Sequence, residues 1–160
     1  MCNIIAVSGA KNSGKTTLIE NLIGYFNSMD ISCAVIKHDG HSFFADTDGT
    51  DTSRFFHAGA FGTAIFDGEK YQLIERKKIA EAELLEQFSK ADIIFLEGFK
   101  YSDYPKLWIC SNESIDGADN IIAWIGGNCE PNFKRDETEK IGEFLLGYFN
   151  LSVKGGNEHG

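Results

Sequence analysis

Short continuous apolar runs alternate along this chain with longer stretches whose apolar residues recur every three or four positions. The runs "NIIAVS" (Asn3 to Ser8), "CAVIK" (Cys33 to Lys37), "DIIFLEGF", "KLWIC" and "NIIAWIG" predict strands buried on both faces. Leu18, Leu22, Ile23 and Phe26 predict a helix from Thr16 to about Met29. Leu84, Leu85 and Phe88 predict a second, from Ile79 to about Ser89, turned inward through those residues. A last helix is expected over Glu137 to Phe149, burying Ile141, Leu145, Tyr148 and Phe149. "TSRFFHAGA" predicts a short helix that stops near Gly59, and "GTAIFDGEKYQLIE" two strands around the turn Asp67-Gly68. Strands alternating with helices define an α/β fold, a mostly parallel sheet covered by helices, with the β-hairpin as an extension. Such sheets bind ligands beyond the carboxyl ends of their strands, here just after Ser8, Lys37, Leu96 and Ala123.

No internal repeat or low-complexity linker interrupts this pattern, so residues 1–150 are expected to form a single domain and 151–160 a disordered tail. The 42% hydrophobic content is that of a soluble globular chain. A formal net charge of −9 argues against a broad nucleic-acid grip. It leaves room for a small anion, because a few backbone N–H groups and one lysine reverse the field locally. No run approaches the roughly 20 apolar residues of a membrane span, and the start of the chain reads as strand and glycine loop, not signal peptide. Cys2, Cys33, Cys110 and Cys129 form no CxxC pair and read as free thiols, so a cytoplasmic location is expected.

After the first strand, "GAKNSGKTT" (Gly9 to Thr17) fits the G-x-x-x-x-G-K-[ST] phosphate loop in the strand–loop–helix context that the pattern requires. Gly9 and Gly14 permit tight turns, so that the N–H groups around Asn12 and Ser13 can point at phosphate oxygens. Lys15 would reach the β- and γ-phosphates, Thr16 would offer its hydroxyl to Mg²⁺, and the helix start beside Thr17 adds partial positive charge. The bland alternative is a glycine turn that merely caps a helix. Lys11 lies one position later than the early lysine of one P-loop branch. Among the loop's candidate contacts it reads best as a solvated lysine.

A nucleotide-hydrolysing site of this class needs an acid near the metal. "DIIFLEG" has one at each end, and the carboxyl end of a parallel strand selects Glu97 over Asp92. Glu97 would hold Mg²⁺ through water or position an attacking water, making Lys15 and Glu97 the candidate catalytic pair. Gly98 would let a ligand approach closely, and Lys100 could meet an anion. There is no N-K-x-D sequence, so the residues alone do not choose GTP over ATP.

The polar loop "KHDGHSFFADTDGTDTSR" (Lys37 to Arg54) leaves several alternatives open. His38, Asp39 and His41 could hold a metal, yet stable sites want three or four converging ligands. Asp46, Asp48 and Gly49 resemble a calcium loop whose pattern is not completed. The remaining choices are a solvated loop, or one that senses the γ-phosphate, Mg²⁺ or a second phosphorylated ligand.

Taken together, "GAKNSGKTTL", "IKHDGHSFFADTDGTDTSRFFHAGA" and "DIIFLEGFK" resemble the MobB family, the molybdopterin-guanine dinucleotide biosynthesis protein B. The ordered match runs from Ile4 to about Lys100. It implies a P-loop NTPase fold and a GTP-binding homodimer with weak Mg²⁺-dependent GTPase activity. It also implies an accessory role beside the guanylyltransferase that attaches GMP to molybdopterin. Carried over by position, Gly14, Lys15, Thr16 and Thr17 would bind phosphates and Mg²⁺. Lys37, His38, His41, Asp46, Asp51 and Arg54 would serve the nucleotide or pterin side, with Glu97, Gly98 and Lys100 at the acidic strand end. Three positions depart from the family: Gly40 replaces a histidine, Phe44 an acidic residue and Thr50 a lysine. Phe43 and Phe44 could stack on a flat ring, or pack in the core or a dimer contact. A phosphotransferase using Asp39 or Asp46 as base, and a metal-insertion GTPase using His38 and His41, are the competing functions.

Overall fold

Six parallel strands in the order β2-β5-β1-β6-β7-β8 build the main sheet, and two antiparallel strands, β3 and β4, form a separate hairpin. In chain order the elements are β1 (Asn3–Gly9), α1 (Lys15–Asn27), β2 (Cys33–Lys37), α2 (Asp51–His57), β3 (Gly62–Phe66), β4 (Tyr71–Glu75), α3 (Glu81–Gln87), β5 (Ile93–Glu97), β6 (Lys106–Ile109), β7 (Ile121–Ile125), β8 (Asn132–Phe133) and α4 (Thr138–Phe149). The structure, a computed structural model, describes residues 2–39, 43, 46–111 and 117–152. The chain divides into two compact units, residues 1–38 with 82–160 and residues 39–81.

In the first unit, residues of the central strands alternate between two apolar clusters. Ile5, Val7, Ile93 and Phe95 point to one face, where Leu18, Ile19, Leu22 and Phe26 of α1 and Ile141 and Leu145 of α4 cover them. Ala6, Ile94 and Leu96 point to the other, against Ile36, Leu84, Leu85 and Tyr104. A sheet buried on both faces explains why its inner strands read as unbroken apolar runs. Gly142 brings α4 close to α1, because a Cβ there would collide with the Tyr25 ring. Lys106 is fully buried in β6; its ammonium donates to the carbonyls of Ser102 and Tyr104, closing the connection that follows β5.

Several expectations need correction. The strand "CAVIK" is not buried on both faces: among the described residues β2 pairs only with β5, at the sheet edge, and Val35 is 38% exposed. α3 is shorter than its periodicity suggests, and Phe88 lies beyond its end and is exposed. Tyr148 is exposed as well, stacked on Phe144 and edge-on to Phe149 instead of facing the sheet. β8 escapes the apolar pattern because only two residues pair with β7. The four cysteines are free, as their spacing suggests.

In the second unit, the β3–β4 hairpin closes through residues 67–70. Asp67 accepts the N–H groups of Glu69 and Lys70, which holds its carboxyl below the usual carboxylate range. Arg76 fastens α2 to the hairpin by donating to the carbonyls of Phe56 and Ala60, with its guanidinium 3.9 Å above the Phe56 ring. Gly40, His41 and Phe44 lie outside the described residues, as do residues 153–160 of the expected tail, whereas Leu151 packs against the first unit's core.

Candidate functional site

At the carboxyl end of β1 the chain turns through conformations that few side chains tolerate. Gly9 has φ +148°, and a Cβ there would sit 2.7 Å from the Ile109 carbonyl oxygen of β6. Asn12 and Gly14 take positive φ of 59° and 95°. α1 then begins at Lys15 with Gly14 as its N-cap, no side-chain cap and no acidic residue in the first turn. Its positive pole therefore faces the loop with no acidic residue of its own first turn beside it. The Lys15 ammonium donates to the Gly9 and Ala10 carbonyls at 3.2 and 2.5 Å. Ser13 is buried and its hydroxyl has no hydrogen-bond partner among the described residues. Lys11, Asn12 and Thr17 are exposed.

Parallel register brings the second half of the site alongside. Glu97, the last residue of β5, pairs with Val7 of β1 on one side and Lys37 of β2 on the other. Its Oε1 accepts from the Thr16 hydroxyl at 3.1 Å and lies 3.3 Å from the Lys37 ammonium. Gly98 (φ +99°) turns the chain away, held by its N–H on the Val7 carbonyl and by the Ser8 hydroxyl on its own carbonyl. Asp92, at the opposite end of the strand, accepts from the Ser32 N–H and hydroxyl and takes no part in this cluster. An alcohol and a carboxylate meeting at a positively charged loop make an oxygen-only donor set of the kind that fits a small hard cation such as Mg²⁺.

The other candidate residues fall into two groups. His38, just past β2, packs edge-on at 5.8 Å from Phe99, and Lys100 lies 5.2 Å over Tyr101 and 5.7 Å over Trp108. Asp46, Asp51 and Arg54 belong to the second unit. Asp46 accepts from the Thr52 and Thr50 hydroxyls and the Thr47 N–H, and these bonds, Thr52's first, hold its carboxyl below the usual range. Thr50 is the N-cap of α2, its hydroxyl accepting from the Ser53 N–H at 3.3 Å. The residue that departs from the family pattern thus starts this helix. Asp51 and Arg54 pair at 3.4 Å on the exposed face of that helix. Within the same unit Asp46, Asp48, Phe43, Ser53, Phe56 and His57 border a cavity of about 150 Å³. His41 lies outside the described residues. Among the described residues no three His, Cys, Asp or Glu side chains converge as a metal site would require.

Sequence reasoning missed Arg135. It follows β8, and its guanidinium donates from Nη1 to the Ser13 carbonyl at 2.5 Å and from Nη2 to the Cys110 carbonyl at 2.7 Å. It therefore ties the phosphate loop to the end of β6. No motif marks it, and it lies two residues past the end of β8.

A parallel sheet with this loop after its central strand and a glutamate at the end of the neighbouring strand defines a P-loop NTPase-like α/β protein. The family model MobB, molybdopterin guanine dinucleotide synthesis protein B, matches residues 4–125, and the chain belongs to that family. It is 39% identical over 129 residues to a probable molybdopterin-guanine dinucleotide biosynthesis adapter protein of Bacillus subtilis, covering 76% of this chain and 75% of the relative. It is 31% identical over 126 residues to the Haemophilus influenzae adapter protein, covering 76% and 71%. The crystal structure of Bacillus subtilis MobB superimposes with a TM-score of 0.76 at 30% identity, covering 96% of this chain and 99% of that one.

Proposed function

We propose that this chain binds GTP with Mg²⁺, hydrolyses it weakly, and acts in the cytoplasm as an accessory to the guanylyltransferase that forms molybdopterin guanine dinucleotide. The observation that carries this reading is the Thr16–Glu97 contact at 3.1 Å beside the phosphate loop of a MobB-family chain. Lys15 would exchange its bonds to the Gly9 and Ala10 carbonyls for β- and γ-phosphate oxygens. Gly9, Asn12, Ser13 and Gly14 would supply the backbone cradle, and Thr17 the contact at the helix start. Thr16 and Glu97 would hold the Mg²⁺, which neutralises charge on the transferring phosphate. Lys37, His38 and Lys100 would serve the anionic rim. Purified chain added to the guanylyltransferase, molybdopterin and Mg²⁺·GTP should raise the yield of guanine dinucleotide. No rise, or an equal rise with a Lys15→Ala chain, refutes the accessory role.

The chain is further expected to work as a homodimer. Phe66, Tyr71 and Leu73 of the hairpin share one face, and all are more than half exposed. A two-stranded hairpin is marginal by itself and large exposed apolar faces mark interfaces, so a second copy is the occupant we expect there. Sedimentation velocity should show a dimer for the natural chain and a monomer for the double variant Phe66→Asp, Leu73→Asp. A dimer that survives both substitutions removes the hairpin from the interface.

A further inference from the structure

We propose that Arg135 reads the purine base of the bound nucleotide and is the residue that selects guanine, in a cleft beside the phosphate loop. This rests on the nucleotide-binding role proposed above. Sheet order gives the loop two unlike sides. On the β5 side stand Glu97 and Lys37, next to Thr16, where metal and terminal phosphate belong. On the β6–β7 side a cleft of about 240 Å³ opens between α1 and the strand ends, bordered by Ser13, Thr17, Asn21, Ile109, Ile125 and Arg135. A phosphate chain seated on the loop with its terminal group toward Glu97 sends its nucleoside into that cleft. The cleft is smaller than the roughly 300–1,000 Å³ that enclose whole drug-sized ligands, a size suited to one base with its sugar left outside.

The chemistry of the walls is selective. Ile109 and Ile125, only 2% and 1% exposed, close the base of the cleft, and Arg135 is the one charged side chain that borders it among the described residues. No carboxylate borders the cleft among the described residues, so the N1–H and 2-amino edge of guanine has no acid to meet there. Arg135 presents donors only. Two of its five N–H groups are spent on the Ser13 and Cys110 carbonyls, which fix the plane of the guanidinium. Gly126 leaves room for the Arg135 side chain, since a Cβ there would lie 3.3 Å from Nε. A fixed donor fork matches the O6 and N7 acceptors of guanine, whereas adenine sets its N6 amino donor against it. Guanine selection would thus come without an N-K-x-D sequence, through the opposite edge of the base.

Isothermal titration of the full chain with four Mg²⁺-nucleotides tests this. GTP and ITP, which lacks the 2-amino group, should bind alike; ATP and 7-deaza-GTP, which lacks N7, should bind more weakly, ATP by roughly 5- to 150-fold. Arg135→Gln should erase or reverse the preference for GTP over ATP, because a glutamine amide pairs with adenine N6 and N7. Strong loss with ITP, undiminished binding of 7-deaza-GTP, or an unchanged GTP-to-ATP ratio in Arg135→Gln each overturns the assignment. The analogue series on the natural chain decides the matter even if the variant does not fold. GTP and ATP binding equally, and both lost in Lys15→Ala, would leave the phosphate loop standing and the base assignment refuted. No binding of any triphosphate would refute both.

Discussion

Lys15→Ala is expected to remove nearly all stabilisation of this chain by Mg²⁺·GTP. At a ligand concentration about 100 times Kd, binding to the native state alone adds about 2.7 kcal/mol, which for a chain of this size raises the melting temperature by roughly 5–10 °C. The variant should gain less than about 2 °C under the same conditions. Without nucleotide its melting temperature should fall only slightly, since the ammonium's bonds to Gly9 and Ala10 are local ties in a half-buried loop. That contrast separates loss of a ligand contact from loss of the fold. A variant that is stabilised as much as the natural chain would refute the phosphate-loop assignment, and ATP stabilising the natural chain where GTP does not would refute the nucleotide.

How much of this was legible beforehand depended on whether the signal was local. The phosphate loop is nine contiguous residues between a strand and a helix, so motif and backbone geometry coincide from Gly9 to Thr17. Glu97 was legible because strand direction in a parallel sheet fixes which end of "DIIFLEG" faces the loop. Arg135 was not, since it reaches the loop across 122 residues of chain and only the fold brings it to Ser13. The edge position of β2 was hidden for a related reason. "CAVIK" is as apolar as an inner strand, and strand order is set by pairing partners and not by composition. Asp46 shows a third kind of limit. An aspartate in a polar loop reads as a ligand, yet its oxygens are engaged by Thr47, Thr50 and Thr52 at the start of α2.

Glu97→Gln should cut GTP hydrolysis by about 10²-fold or more while leaving the fold intact. The amide keeps the shape of the side chain and can still accept from the Thr16 hydroxyl, so only the negative charge is lost. Its present counter-charge is screened by solvent on one side: Lys37 is 60% exposed, although Glu97 is only 11% exposed. The two roles open to Glu97 then separate by affinity. If the carboxylate holds Mg²⁺, GTP binding by the variant should no longer respond to Mg²⁺ over EDTA, whereas the natural chain should. If it only orients water, hydrolysis falls and the Mg²⁺ response remains. Lys37 supplies the control, because its ammonium and a Thr16-bound cation compete for the same Oε1 atom. Lys37→Met should therefore leave Glu97 freer to take the metal and lower the Mg²⁺ concentration needed for half-maximal hydrolysis. An unchanged or higher requirement would mean that Lys37 and the cation do not share that oxygen, and Glu97 would lose its place as a metal-holding residue.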